Sequence, residues 1–78
     1  MKTICFDFGN SRLKAAVFNN AEFVEEIILP NDELSTIERI ITIHQPQKTI
    51  LSSVISHNLA IENFLEEYSL FHKLSHLT

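Results

Sequence analysis

Between residues 7 and 14 the chain reads Asp-Phe-Gly-Asn-Ser-Arg-Leu-Lys: one acid, one glycine, two small polar donors and two cations. Gly9 is the only glycine among 78 residues, where ordinary usage of about 7% would give about five. Its place there is expected to serve backbone geometry, either a φ > 0 turn or a close approach of another group to the main chain. Asp7 reads as a buried carboxylate amid Cys5, Phe6 and Phe8, costly to desolvate unless paired, hydrogen-bonded or bound to a metal. Magnesium is satisfied by one or two carboxylates plus waters and phosphates, so Asp7 alone is chemically sufficient beside a phosphate turn. Asn10 and Ser11 can donate side-chain hydrogen bonds, and the turn amides can add theirs. Lys14 and Arg12 can neutralise phosphate, with a solvated role the simpler one for Arg12. Two plainer readings stand beside this. Gly9-Asn10 can close a β-hairpin that binds nothing, and Asp7 can bond the amides that follow it.

The elements that must position these residues follow from periodicity. Residues 2–8 are β-branched and aromatic, the pattern of a central strand buried on both faces. Residues 12–19 alternate, with Leu13, Ala15 and Val17 on one face and Arg12, Lys14, Ala16 and Phe18 on the other. Asn19-Asn20 marks a second hairpin, and residues 22–29 form a third strand ending at Pro30. The period then changes. Asn31 or Asp32 can cap a helix whose apolar stripe is Leu34, Ile37, Ile40 and Ile41, and Pro46 closes it by pushing Gln45 out of the α region. Residues 47–54 read as a fourth strand. A second helix starts at Ser56, His57 or Asn58 and carries Ile61, Phe64, Leu65 and Tyr68 on its core face; residues 70–74 read as a fifth strand. The order is β-β-β-α-β-α-β, an α/β fold with a mixed sheet flanked by helices. It is the order of a ribonuclease-H-like half-domain, in which the first turn embraces nucleotide phosphates.

Composition narrows the classes. Apolar residues make up 45% of the chain, as in a globular core. The net charge of −4 argues against nucleic acid held through a basic face. Lys2, Arg12 and Lys14 form a small positive island around the turn, which suits a small anion better than a polymer. No apolar run approaches the ~18 residues of a membrane span. The start is no signal peptide, and the single Cys5 makes no internal disulfide. A cytoplasmic setting is the expectation.

Asp7-Phe-Gly-Asn-Ser-Arg-Leu-Lys14, followed by Ala-Ala-Val-Phe18, resembles the D-x-G-N-[TS] phosphate motif of type III pantothenate kinases, in the acetate-and-sugar-kinase/actin superfamily. Ile50-Leu-Ser-Ser-Val54 is similar to a second stretch of that family. Leu74-Ser-His-Leu-Thr78 resembles the segment before its P-x-T-L-G-x-D-R region. The resemblance implies ATP-dependent phosphorylation of pantothenate, the first step toward coenzyme A. It implies ATP and Mg2+ (or a similar divalent ion) as cofactors, with a monovalent cation such as K+ or NH4+. ATP-phosphate contacts would come from Asp7, Phe8, Gly9, Asn10, Ser11, Arg12, Leu13 and Lys14, with Asp7 also at the metal. Ser53 and Val54 would lie near the site floor. Family members are longer, two such half-domains that dimerise, and their catalytic aspartate falls in a motif that would lie after residue 78. Residues 1–78 thus match an N-terminal nucleotide-binding subdomain, with no catalytic residue of its own and not expected to be active alone. The alternatives are a non-catalytic association module of the same fold, or a related ATPase or kinase with another acceptor.

The remaining polar residues read more plainly. His72 and His76 have the i, i+4 spacing of helical metal ligands, but on a strand pattern and without a third ligand. His44 and His57 look like helix-end residues with no evident partner. Glu62, Glu66 and Glu67 read as a solvated helix face.

Overall fold

The computed structural model describes residues 1–9, 12–53 and 59–75. The strands are β1 (Lys2–Phe8), β2 (Leu13–Asn19), β3 (Glu22–Ile28), β4 (Lys48–Ser53) and β5 (Leu70–Ser75), and the helices are α1 (Leu34–His44) and α2 (Leu59–Tyr68). They follow one another in the expected β-β-β-α-β-α-β order. One mixed sheet has the order β3-β2-β1-β4-β5. β1 pairs antiparallel with β2 and parallel with β4, so it joins the two halves of the sheet. The meander is closed by Asn20, held at φ 59°, whose amide donates to the Met1 carbonyl at 2.6 Å. Asparagine is among the few non-glycine residues that tolerate this left-handed geometry.

Both crossovers, β3 to β4 through α1 and β4 to β5 through α2, step across the sheet in the same direction. Right-handed connections then place both helices on one face. The packing agrees: Ile37, Ile40 and Ile41 of α1 and Ile61 and Leu65 of α2 share a core with Ile4, Phe6 and Phe8 of β1, Ala15 and Val17 of β2, and Leu51 of β4. The expectation that β1 is buried on both faces is therefore corrected. Ile4, Phe6 and Phe8 are buried, whereas Thr3 and Cys5 on the opposite face are half-buried and Asp7 is exposed.

Helix ends also differ in detail. Glu33, not Asn31 or Asp32, is the residue flanking the start of α1, and its side chain makes no capping bond. Asn31 acts one step earlier: its Oδ1 accepts from the Glu33 amide at 3.0 Å and from Thr36 Oγ1 at 2.6 Å. At the other end Gln45 is driven into the left-handed region at φ 46°, and its amide donates to the Ile41 carbonyl at 2.7 Å. The expected starting residues of α2, Ser56, His57 and Asn58, lie outside the described residues. Tyr68, expected in the core, is 60% exposed at the end of α2, where its ring lies against Phe64 with centroids 4.7 Å apart.

One buried polar contact was not foreseeable from the pattern. Thr49 is fully buried, and its Oγ1 lies 2.7 Å from Ser69 Oγ. Ser69 Oγ in turn donates to the Leu65 carbonyl at 2.7 Å, so the hydroxyls link β4 to the end of α2. Among the described residues no helix is long and apolar enough to cross a membrane. Phe6→Ala is expected to lower the free energy of unfolding in urea by about 3–5 kcal/mol. Ile43→Ala on the exposed side of α1 should change it by about 0.5 kcal/mol or less.

Candidate functional site

β1 and β4 run parallel and finish at the same end of the sheet. At that end Asp7 stands in register with Lys14 of β2 on one side and Ser52 of β4 on the other. The row is completed by Ile28 of β3 and Leu74 of β5. Directly opposed residues on neighbouring strands have Cβ atoms about 4.5–5.5 Å apart. An ammonium, a carboxylate and a hydroxyl therefore share one level on the face without helices. Asp7 is exposed, which corrects its reading as a buried acid; Lys14 and Ser52 are half-buried. The reason is the one-sided helix layer, which leaves alternate positions of β1 uncovered.

Gly9 follows as the ladder ends. Its amide donates to the Arg12 carbonyl at 2.9 Å, closing the turn between β1 and β2. A Cβ on residue 9 would sit 3.3 Å from that same carbonyl oxygen. No described glycine has positive φ. Of the two roles expected for Gly9, close approach is the one observed, and left-handed geometry is not. Asn10 and Ser11 lie outside the described residues. Arg12 is exposed at the turn. Phe8 and Leu13 form the last register pair and belong to the helix side, Phe8 buried and Leu13 packed against the core. They anchor the turn and do not line the Asp7 row.

The positive island is smaller than expected. Lys2 pairs with Asn19 at the far end of β1, about 16 Å from Asp7 at strand rise. Only Arg12 and Lys14 remain at the turn. Among the described residues no group of three His, Cys, Asp or Glu side chains could hold a metal ion. The donor set fits a hard divalent ion held by one carboxylate together with phosphate oxygens and water, the arrangement magnesium favours. It does not fit a closed protein cage.

No protein-family model matches the chain, and no curated protein matches it.

Other expected positions fall elsewhere. Ser53 is in register with Phe8 and so belongs to the helix side, while Ser52 is the residue beside Asp7. No local signal separates the two serines, because Ile50 and Leu51 are both strongly apolar and only the fold shows that Leu51 faces the core. Val54 lies outside the described residues, as do His57 and His76, so the His72–His76 pairing falls outside them too. His44 does have a partner: its Nε2 is 3.7 Å from a Glu25 carboxylate oxygen across the α1–β3 groove. Glu62 is not simply solvated, because its carboxylate accepts from Lys73 Nζ at 3.2 Å. Burial pushes the Cys5 thiol above its ordinary value, and the nearby Lys48 charge offsets part of that rise.

Open grooves occur among the described residues. One of about 700 Å³ lies between the helices, lined by Glu38, Ile41, Phe64 and Tyr68. Another of about 460 Å³ lies between α1 and β3. Neither reaches the Asp7 row, which is a wall on the sheet surface. Gly9→Ala is expected to push against a backbone oxygen that cannot rotate away. The fold should persist with a loss of about 1 kcal/mol, and amide NMR shifts should concentrate at residues 7–14.

Proposed function

We propose that the turn between β1 and β2 binds the phosphates of ATP with magnesium, and that the chain belongs to the nucleotide-binding part of a pantothenate kinase. The observation that carries the reading is the Lys14–Asp7–Ser52 row at the carboxyl ends of two parallel strands. Ligands of open α/β sheets bind outside the carboxyl ends of the strands, at a point where the strand connections diverge. β1 is such a point here, since the chain leaves it for β2 on one side while β4 adds on the other.

The roles follow from chemistry. Asp7 would take the divalent ion, and the ion would neutralise charge on the phosphate oxygens. Lys14 would approach the phosphates as a point charge. Gly9, which carries no side chain, would let an anion approach the main chain at the turn. The choice of pantothenate as acceptor rests on the motif resemblance, because a phosphate turn alone does not choose an acceptor. Phosphoryl transfer depends on positioning donor, metal and acceptor together. An open wall supplies the donor side of that arrangement.

A second reading is favoured by a different observation, the helix-free face of the sheet: a module whose role is association. The two readings separate in a titration of the labelled chain with Mg-ATP. Saturable amide shifts confined to residues 7–14 and 52 are expected. Asp7→Asn and Lys14→Met should each weaken them by about tenfold or more, the scale of one lost charge-assisted contact. A folded chain that shows no response at millimolar Mg-ATP would sink the nucleotide reading.

A further inference from the structure

We infer that the groove between the two helices binds a small organic cation, a primary ammonium ion carrying an apolar body. This goes beyond the nucleotide reading and does not depend on it. α1 leads into β4 and α2 into β5, and those strands are parallel neighbours, with Lys48 in register with Leu70. Both helices therefore finish at the same end of the sheet, opposite to the Asp7 row. A helix C-terminus carries about half a negative charge, and here two of them stand side by side. The side chain that ordinarily answers such an end is missing from the groove. α2 has no basic residue in its last turn. The basic residue in the last turn of α1, His44, is engaged with Glu25 across the α1–β3 groove.

The lining fits the same charge. α1 and its C-cap contribute Glu38, Ile41, Thr42 and Gln45, spaced i, i+3, i+4 and i+7, so they form one stripe along the helix. Within that stripe Glu38 and Thr42 stand one turn apart, about 5–6 Å between Cβ atoms. Among the described residues no ion pair or hydrogen bond engages the Glu38 carboxylate. α2 contributes Phe64 and Tyr68, with ring centroids 4.7 Å apart and planes tilted by 42°. An aromatic face attracts a cation within about 6 Å of its centre, and Tyr68, 60% exposed, offers one. The apolar floor is made by Ile41 and the buried Pro46. Carboxylate, hydroxyl and amide oxygens all accept hydrogen bonds, matching the three N–H donors of a primary ammonium. No lysine, arginine or histidine is among the described residues lining the groove; Arg39 lines the other one. An anion here would meet Glu38 and two helix ends with no cation to hold it. The space of about 700 Å³ falls within the ~300–1,000 Å³ of small-molecule sites.

The test is an amide NMR titration of the labelled chain with phenethylammonium. A parallel titration uses phenethyl alcohol, which keeps the ring and chain but lacks the charge. Saturable shifts are expected at residues 38–46 and 64–68, and not at residues 7–14. The alcohol should bind at least about tenfold more weakly, the scale of one lost charge-assisted contact. Glu38→Gln should weaken the ammonium about tenfold and leave the alcohol unchanged, so that the preference disappears. Tyr68→Ala should weaken the ammonium about threefold. Both side chains are exposed, so neither change removes a core contact, and comparing the two probes on the unaltered chain needs no variant. Equal binding of ammonium and alcohol would overturn the proposal. So would a preference that survives Glu38→Gln, shifts that centre elsewhere, or no saturable response at millimolar ammonium. Because the expected shifts lie away from residues 7–14 and 52, failure here leaves the Mg-ATP titration unaffected.

Discussion

The handedness of two connections decides where everything else lies. α1 and α2 both return the chain in the same direction across the sheet, and a right-twisted sheet accepts such returns on one side only. The sheet is thereby made two-faced. Its inner side holds Ile4, Phe6, Phe8, Leu51 and the buried Thr49, with both helices over them. Its outer side carries the only arrangement of acid, base and hydroxyl at the carboxyl ends of parallel strands among the described residues. An acid at position 7 is tolerable because a neighbouring Phe8 takes the core-facing place and leaves Asp7 in water.

Much of this was legible from the residues. The strand and helix order follows from two periods, alternation in β2 and the 3.6-residue stripe in α1, with Pro30 and Pro46 as the punctuation on either side of the helix. The turn was legible too, because an isolated glycine after an acid stands out against a glycine-poor chain. The dependence of burial on topology was not. A near-continuous apolar run such as Ile4-Cys5-Phe6 looks the same whether one face or two are covered, since cysteine is small enough to sit half-exposed at little cost. Distant register was equally hidden: nothing local says that Ser52, and not Ser53, stands beside Asp7. Lys2 misled for a related reason, being near in sequence to the turn yet at the opposite end of a seven-residue strand.

The details that the pattern missed share one cause, contact across a crossover. Thr49 with Ser69, Glu62 with Lys73 and His44 with Glu25 each join a helix or its end to a strand. Each partner looks ordinary alone. A hydroxyl on β4 is buried at low cost only because Ser69 arrives from the end of α2 to share a hydrogen bond with it. Such pairs fix how the helices seat on the sheet after the apolar stripes have decided which side they cover.

The position of β1 at the junction of an antiparallel and a parallel half has a consequence for how the molecule forms. The meander β1-β2-β3 is joined by short turns, so its contacts are local and close quickly. β4 can reach β1 only after the chain has run through β2, β3 and α1. The Lys14 side of Asp7 is therefore assembled early and the Ser52 side late. During that interval one backbone edge of the central strand stands open with its hydrogen-bonding groups unsatisfied. For a chain leaving the ribosome, this is the interval in which pairing with a neighbour competes with pairing with itself.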